Sequence, residues 1–306
     1  MKATTLSEME AKTEFSIPAE AVATELVAYY TRAGEDYRAW SSGMNMHFGY
    51  WRRGVNPFRL EEMLEAMNRE VMEALALSPD RPARIADLGC GVGATLRHMA
   101  RLRPDWRFDG VTLVPWQLQV AAEYAGQMPH DNIRYHRADY RATGLASESF
   151  DAVYLLESMC HDEGGGKKAV LEEAVRLLRP GGRLVLVDGF LKRPQQHPRW
   201  FRRVLREVCQ GWAMSSFPEK DAVIHHLGDL GMGEMGWRDL FWRLAPSGLH
   251  VPRVTAAYLW QRARSGNPPW CEESRRHVRS CVLSPLVGLC RPWFAYGMLT
   301  TRKNAS

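Results

Sequence analysis

A run of apolar residues followed by three closely spaced glycines constrains the fold of this chain more than any other feature. The run from Ile85 to Thr95 reads Ile-Ala-Asp-Leu-Gly-Cys-Gly-Val-Gly-Ala-Thr, which predicts a buried strand, a tight turn and the start of a helix. Gly89, Gly91 and Gly93 allow the backbone to turn sharply and to approach a ligand closely. No Lys-Ser/Thr pair follows the glycines, so the turn is not a P-loop. The segment is either a ligand-binding turn of another type or an ordinary connection between a strand and a helix.

The segments beyond this turn alternate between strand and helix patterns, which favours a parallel sheet in an α/β fold. Strands are predicted at 84–88, 107–113, 133–137, 150–156 and 182–188, and helices at 94–103, 115–126 and 166–178. A helix at 222–230, a sixth strand at 233–240 and a final edge strand at 293–302 follow. Asp87 lies at the end of the first strand, on the edge where open α/β sheets bind ligands.

The remaining segments surround this core. Residues 1–17 read as a loose leader, helices are predicted at 18–40 and 58–77, and the Trp- and Arg-rich segments 191–216 and 241–290 are predicted to be mostly helical. We therefore divide the chain into an N-terminal helical lid, a ligand-binding core, a helical cap with one or two core elements, and a last strand with a tail. Their ranges are 1–79, 80–190, 191–292 and 293–306.

The composition is that of a globular protein and excludes several classes. The chain has 306 residues, of which 45% are hydrophobic and 25% charged, and no apolar run approaches the roughly 20 residues that a membrane helix needs. Early acids at Glu8, Glu10 and Glu14 argue against a secretory signal. The six cysteines are scattered without a C-x-x-C pair, so we expect neither a metal site nor a disulfide framework. A reducing, cytoplasmic location is the expectation.

The charge pattern gives a weak indication of partners. The net charge is +5, and arginines cluster at 199–206 and 275–279. A solvated helix face accounts for most such runs, while an anion pocket or a surface that contacts acidic lipid accounts for others. No nucleic-acid-binding module accompanies them, so we expect no nucleic-acid partner. The sequence leaves a peripheral membrane contact and a homodimer open.

The glycine turn and four further segments resemble the class I S-adenosylmethionine-dependent methyltransferases. Asp87 and the three glycines match the first motif of the family, and Thr112 and Gln117 fit a Gly-x-Thr-Leu-x-Pro-x-Gln pattern after the second strand. This pattern is usual in the group that contains tocopherol, cyclopropane-fatty-acid and geranyl diphosphate C-methyltransferases. Asp139 after the third strand, the segment 150–154 and the Leu-Arg-Pro-Gly-Gly run at 178–182 complete the resemblance. Val114 departs from it, because Ser is common there.

The resemblance implies a Rossmann-like methyltransferase fold, with a mostly parallel seven-stranded sheet, an antiparallel last strand, an N-terminal helical lid and helical cap insertions. It implies S-adenosylmethionine as the cofactor and S-adenosylhomocysteine as the product, bound by the core at 80–190. A carboxylate at Asp139 can accept a hydrogen bond from the adenine amino group, although an acid there is also a common turn residue. The expected cofactor-binding residues are Asp87, Gly89, Cys90, Gly91, Gly93, Thr112, Leu113, Gln117, Asp139 and Tyr140, together with Tyr50 and Glu157.

An aromatic segment precedes the core, from Asn45 to Trp51. In the resembling group such segments form a lid over the sulfonium, and aromatic faces do stabilise cations. We therefore expect Tyr50 to act in catalysis, and His47, Phe48 and Trp51 to contact the substrate. The alternative is that these rings only attach the N-terminal segment to the sheet.

Glu157 and His161 follow the fourth strand and are the candidate catalytic residues. A carboxyl group directly after an apolar strand is partly desolvated, so its pKa is expected to rise toward the range of a good general base. The resemblance implies that Glu157 stabilises a cation or removes a proton during C-methylation. His161 is the second candidate base. The alternative for Glu157 is a structural carboxylate that holds the lid.

The aromatic cap predicts a hydrophobic acceptor, with Trp200 and Trp212 in contact with it. The leading hypothesis is C-methylation of an isoprenoid. If the acceptor is a prenyl diphosphate, Arg203 and its neighbours would bind the phosphates and Mg²⁺ would assist, although no metal-ligand set is visible. The alternatives are an O- or N-methyltransferase of a small aromatic or glycosylated metabolite, and a non-catalytic scaffold with a degenerate cofactor site.

Overall fold

The computed structural model describes residues 19–128, 131–264 and 271–305, without the side chains of residues 19–23. Residues 1–18 of the predicted leader and lid, 265–270 of the predicted cap and Ser306 of the predicted tail lie outside the described residues. Within the described ranges, no helix combines the length and the apolar character that crossing a membrane requires.

Seven strands form one sheet in the order β3-β2-β1-β4-β5-β7-β6. Strands β1 to β5 pair in parallel, and β7 runs antiparallel to both β5 and β6, so the mostly parallel sheet with an antiparallel last strand is confirmed. The predicted edge position of the last strand is wrong, because β6 is the edge and β7 lies inside the sheet. The strands are β1 (Arg84–Leu88), β2 (Arg107–Thr112), β3 (Ile133–Arg137), β4 (Phe150–Leu156), β5 (Leu178–Leu191), β6 (Met232–Asp239) and β7 (Phe294–Lys303).

Helices cover both faces of the sheet, since side chains alternate between the faces along each strand. The helices are α1 (Ala19–Ala33), α2 (Leu60–Ala74), α3 (Ala94–Leu102), α4 (Pro115–Ala125), α5 (Lys168–Leu177), α6 (Arg199–Gly211), α7 (Lys220–Asp229), α8 (Phe241–Gly248), α9 (His250–Arg264) and α10 (Glu272–Leu289). On β1, Ile85 belongs to the same apolar cluster as residues of α2, α3 and α6, whereas Ala86 and Leu88 belong to the cluster that contains residues of α5 and α7. The Rossmann-like α/β class is therefore confirmed.

The start of β5 differs from the prediction. The strand was predicted at 182–188, but β5 begins at Leu178 and includes the Arg-Pro-Gly-Gly run at 179–182. Leu178 pairs with Phe150, the register then shifts, and Arg183 pairs with Ala152. A bulge of this kind absorbs extra residues while pairing resumes on both sides.

Helices α6, α8, α9 and α10 form the cap, and α1 packs against it. Gly211 at the end of α6 lets α10 approach closely, because a Cβ at this position would lie 2.4 Å from the Arg276 carbonyl oxygen. The Tyr29 hydroxyl of α1 lies 2.6 Å from Nδ1 of His277 on α10. The helical lid and cap insertions are thus present. The four-part division of the chain stays a prediction, because lid and cap pack on each other across it.

Candidate active site

The glycine turn after β1 forms one wall of a cleft at the carboxyl edge of the sheet. Gly89, Gly91 and Gly93 all have positive φ angles, of 90°, 54° and 73°. A Cβ on Gly89 would lie 2.4 Å from Cβ of Ser158, so only glycine fits between the turn and the segment after β4. Gly93 precedes the first residue of α3 and supports the turn from behind the cleft, which it does not line.

Asp87 lies in the cleft at the end of β1 and is almost fully buried. Its Oδ2 atom accepts a 2.7 Å hydrogen bond from the Tyr154 hydroxyl. Burial raises the pKa of Asp87 to about 7, and the Tyr154 bond only partly offsets this. The ionised form of a carboxyl group buried in this way is stabilised by pairing with a cation in the cleft.

The other end of the cleft is polar, and its side chains are hydrogen-bonded to one another. The Thr112 hydroxyl lies 2.5 Å from Oε1 of Gln117, and Asp139 accepts hydrogen bonds from the guanidinium of Arg141. Burial alone would raise the pKa of Asp139, but the bonds from Arg141 outweigh it, so the pKa is lowered and the carboxylate is ionised. The cleft, of about 100 Å³, is lined by ten of the predicted cofactor residues, namely Asp87, Gly89, Cys90, Gly91, Thr112, Leu113, Gln117, Asp139, Tyr140 and Glu157.

This donor set fits S-adenosylmethionine. Asp87 would hold the ammonium group of the methionine part, Thr112 and Gln117 would lie beside the ribose, and Asp139 would accept a hydrogen bond from the adenine amino group. At Gly91, a Cβ would have only Met46 Sδ at 3.4 Å and Gln117 Nε2 at 4.0 Å within 4 Å. A ligand can therefore approach the backbone at this point, as the glycine spacing predicted.

Glu157 lies where the cofactor cleft meets a larger cavity and lines both. Its Oε1 atom accepts hydrogen bonds from the Phe48 backbone N–H at 2.7 Å and from the Tyr296 hydroxyl at 2.5 Å. Burial raises the pKa of Glu157 to about 8, against the lowering effect of these two bonds. Glu157 therefore joins the N-terminal segment, β4 and β7, and is mostly protonated at pH 7.

His161 also lines both cavities, and its tautomer follows from its contacts. Its Nδ1 atom lies 3.0 Å from the Ala213 carbonyl oxygen, which can only accept, so Nδ1 carries the proton. The lone pair is then on Nε2, where the Tyr30 hydroxyl lies 3.4 Å away. Burial lowers the pKa of His161 to about 4, so the ring is neutral at pH 7.

The larger cavity, of about 450 Å³, lies between the sheet edge, α1 and the cap. Of the described residues that line it, none is Lys or Arg, and its charged or chargeable groups include three carboxyls. Asp36 is fully engaged with the hydroxyls of Tyr258 and Ser274, each at 2.7 Å. Its aromatic lining consists of Tyr30, Tyr37, Trp40, Phe48, Trp212, Phe217, Phe241, Trp242, Tyr258, Phe294 and Tyr296.

Asp188, among the last paired residues of β5 and three residues before its end at Leu191, lines the cavity and was not among the predicted site residues. Its Oδ1 atom accepts a hydrogen bond from Gly189 N–H at 2.8 Å, whereas Oδ2 is buried without a partner of good geometry among the described residues. Burial raises the pKa of Asp188 to about 7, despite nearby backbone N–H groups. An acid that ends a predicted apolar strand is the same signal that pointed to Asp87.

The structure brings some of the predicted substrate residues to this cavity and places others elsewhere. His47, Phe48 and Trp212 line it. Tyr50 and Trp51 line neither cavity, so the structure does not place Tyr50 where its catalytic and cofactor contacts were expected, or Trp51 where its substrate contact was expected. The Tyr50 backbone N–H bonds to Met63 of α2, and its hydroxyl accepts a 3.2 Å bond from Arg238 on β6, so the ring points away from the cleft. Trp51 donates to the Val55 carbonyl instead.

Trp200 and Arg203, which were expected to contact the substrate, line neither cavity. Both side chains are exposed on the outer side of α6, and Trp200 packs against Trp293 there. With no basic side chain among the described lining residues, the cavity has nothing to neutralise a diphosphate. The described residues hold no group of three or more potential metal ligands either.

Comparisons with known proteins support the fit of the cleft to S-adenosylmethionine. Residues 85–182 match the methyltransferase domain family. The chain is 30% identical to O-methyltransferase rstn1 of Aspergillus nomiae over 60% of this chain and 79% of that protein. It is 32% identical to methyltransferase GfsG of Streptomyces halstedii, where the match spans 55% of this chain and 59% of the relative. Mycolic acid cyclopropane synthase CmaA1, crystallised with S-adenosylhomocysteine, shares the fold, with a TM-score of 0.74 at 16% identity over 92% of this chain and 98% of that chain. The chain therefore belongs to the class I S-adenosylmethionine-dependent methyltransferases.

Proposed function

We propose that this methyltransferase O-methylates a hydroxyl group of a neutral, hydrophobic small molecule. The observation that carries the proposal is the lone pair on Nε2 of His161, held at the junction of the cofactor cleft and the apolar cavity. Because Nδ1–H is bonded to the Ala213 carbonyl, the ring cannot present its other nitrogen to the junction without losing this bond. A neutral imidazole in this position can accept the hydroxyl proton as the oxygen gains positive charge from the incoming methyl group.

The cofactor supplies a methyl group already activated on a positively charged sulfur. The chain's own task is to orient the acceptor oxygen, to exclude water and to take up one proton. The hydroxyl proton would move to Nε2 of His161 as the methyl group passes from sulfur to the acceptor oxygen, so that the C–O bond forms while the S–C bond breaks and neutral S-adenosylhomocysteine remains. With a pKa of about 4, the resulting imidazolium releases its proton to solvent once the products have left, which restores the neutral base for the next turnover.

Tyr30 indicates where the acceptor hydroxyl would lie. Its hydroxyl can only donate to the unprotonated Nε2 of His161, and the 3.4 Å separation is long for a hydrogen bond. Tyr30 itself lines both cavities, so an acceptor hydroxyl that enters the junction can take over this contact. Asp188 offers a second contact, because its Oδ2 atom, which has no well-aligned partner among the described residues, can accept a hydrogen bond from another polar group of the acceptor.

Two observations favour O-methylation over the C-methylation that the motifs first suggested. Glu157, the group expected to stabilise a carbocation, is mostly neutral at pH 7 because its pKa is about 8. The relative rstn1 is an O-methyltransferase by name and matches over most of its own length. C-methylation of an isoprenoid is the second candidate, favoured by the aromatic ring of Phe48 packed edge-on against Tyr296 beside Glu157.

The test compares the wild-type chain with His161→Asn and His161→Gln. The Asn amide can keep the bond to the Ala213 carbonyl but has no base at the Nε2 position. Methyl transfer to a panel of hydrophobic phenols, alcohols and prenylated alkenes is measured at saturating S-adenosylmethionine. We expect methyl ethers as products, and a fall in kcat of about 10²–10⁴-fold in both variants.

Binding of S-adenosylhomocysteine, measured by calorimetry, serves as the control and should be unchanged in both variants. Wild-type kcat in His161→Asn would remove the base from the mechanism. Products methylated at carbon, identified by NMR, would establish the second candidate instead. Absence of turnover despite cofactor binding, with every acceptor in the panel, would refute the acceptor class.

A further inference from the structure

The opening of the acceptor cavity is surrounded by apolar side chains. Among the described residues that line the cavity, five are exposed, and all five are apolar: Ala39, Trp242, Leu249, Pro252 and Leu289. Trp242, Leu249 and Leu289 are 79%, 77% and 69% exposed. We call these five residues the apolar rim. Large apolar side chains this exposed around one opening mark an interaction surface rather than a surface adapted to water.

The apolar surface continues from the rim along α10. Val282 and Leu286 are exposed, and together with Leu289 they recur every three or four residues, which places them on one side of the helix. Arg275 and Arg279 continue the same stripe toward the start of α10 and are exposed as well. The outward side of α10 is therefore apolar near the cavity opening and basic farther away.

Helix α6 adds a row of arginines beside this stripe. The end of α6 contacts the middle of α10, where Arg279 pairs with Glu207 at 2.9 Å, and its start contacts Trp293, just after α10. The two helices are thus antiparallel, and the first turns of α6 lie beside the apolar half of α10. Exposed arginines stand on these turns, at Arg199, Arg202, Arg203 and Arg206. In total, α6 and α10 carry seven arginines and three glutamates.

We propose that the apolar rim and the outward sides of α6 and α10 dock on an anionic lipid bilayer, from which a lipophilic acceptor enters the cavity. Exposed tryptophan and leucine side chains insert at the boundary between headgroups and acyl chains, while arginines attract acidic headgroups. The lipophilic acceptor can then pass from the bilayer along the apolar rim to His161 without crossing water. The arginines of α6, which do not line the cavity, would bind acidic headgroups in this arrangement.

This inference rests on the proposed function only in requiring a lipophilic acceptor. The surface could instead be covered by a second copy of the chain, but its arginines would then oppose each other across a two-fold axis. Acidic headgroups complement them, which is why a bilayer is the better occupant.

The test measures co-sedimentation of the full chain with vesicles of phosphatidylcholine alone and of phosphatidylcholine mixed equally with phosphatidylglycerol. We expect binding to the anionic vesicles, weakened by salt. The double variants Val282→Ser/Leu286→Ser and Arg199→Glu/Arg203→Glu should each bind about tenfold more weakly or worse. Leu102→Ser and Arg134→Glu are the matched controls, because these exposed residues lie at the end of α3 and on the edge strand β3, away from the cap. Both controls should bind like the wild type.

Activity separates this inference from the proposed function. Turnover of an acceptor embedded in anionic vesicles should fall in the two double variants, whereas turnover of a short, water-soluble acceptor should not change. Equal binding of the chain to both vesicle types, or unaltered binding of the double variants, would overturn docking while leaving O-methylation intact. A dimer that light scattering detects in the wild type and not in Val282→Ser/Leu286→Ser would assign the surface to a second copy. Vesicle binding without any methyl transfer would instead count against the proposed function alone.

Discussion

Glu157 makes the stability of the fold depend on pH in a direction opposite to that of most carboxylates. Its pKa is 4.5 in an unfolded chain and about 8 in the folded protein, because it is buried against Phe48 and Tyr296. The folded state therefore binds a proton more tightly than the unfolded state. The contribution of Glu157 to the unfolding free energy is greatest below pH 4.5, and this contribution is lost as the pH rises toward 8.

The size of this effect follows from the two pKa values. Each pKa unit between the two values corresponds to about 1.4 kcal/mol of unfolding free energy. The ionisation of Glu157 therefore lowers the unfolding free energy by at most about 5 kcal/mol at pH 8 and above. Glu157→Gln removes the ionisation while its amide oxygen can still accept from the Phe48 N–H and the Tyr296 hydroxyl. We expect the variant and the wild type to have similar unfolding free energies near pH 5. At pH 8.5 the variant should be more stable by about 3–5 kcal/mol.

Urea unfolding, followed by tryptophan fluorescence at several pH values between 5 and 8.5, measures this difference. Glu65→Gln, on the exposed side of α2, is the control and should follow the wild-type profile. Since Asp87 and Asp188 also have raised pKa values, the comparison with Glu157→Gln isolates the contribution of a single group. Parallel profiles for Glu157→Gln and the wild type would refute the argument. At pH 7 the variant should also keep most of its methyl transfer, which C-methylation through an ionised Glu157 would not allow.

Two further substitutions test the cofactor cleft and the cap. Asp87→Asn keeps an acceptor for the Tyr154 hydroxyl but loses the charge, so S-adenosylmethionine should bind about 10- to 100-fold more weakly by calorimetry; unchanged affinity would contradict its cofactor role. Gly211→Ala places a Cβ 1.9 Å from the Ser280 hydroxyl oxygen, and should lower the unfolding free energy by about 1–3 kcal/mol. Gly288→Ala, whose added Cβ would have no atom within 4 Å, should not lower the unfolding free energy. An equal loss of unfolding free energy in both variants would disprove the close contact of α6 with α10.

The cleft could be predicted from sequence because backbone conformation dictates residue type there. The positive φ of Gly89 and its contact with Ser158 exclude any side chain, so the spacing of the glycines encodes the turn itself. Asp87 was predictable for a similar reason, since strand ends in a parallel sheet converge on one edge. Asp188 obeys the same rule and could have been found by applying it to the fifth strand.

The acceptor side was less predictable, because it depends on which way each side chain turns after the chain has folded. Tyr50 directly follows Phe48-Gly49, yet a backbone bond to α2 turns its ring toward Arg238 instead of the cleft. The arginines of α6 gave a charge pattern without a direction, and the structure places Arg203 on the exposed side of the helix instead of in an anion pocket. Neither outcome follows from periodicity or motif spacing.

The position of β7 inside the sheet has a consequence for the order in which the fold can assemble during translation. Strand β6 has no partner other than β7 in the described sheet, and β7 begins at Phe294, more than fifty residues after Asp239. At typical synthesis rates the ribosome needs roughly 3–10 s to cover that distance. During this time β5 exposes an unpaired edge and Glu157 lacks Tyr296. The bond from Tyr296 to Glu157, where the cofactor cleft meets the acceptor cavity, can therefore form only after β7 has emerged.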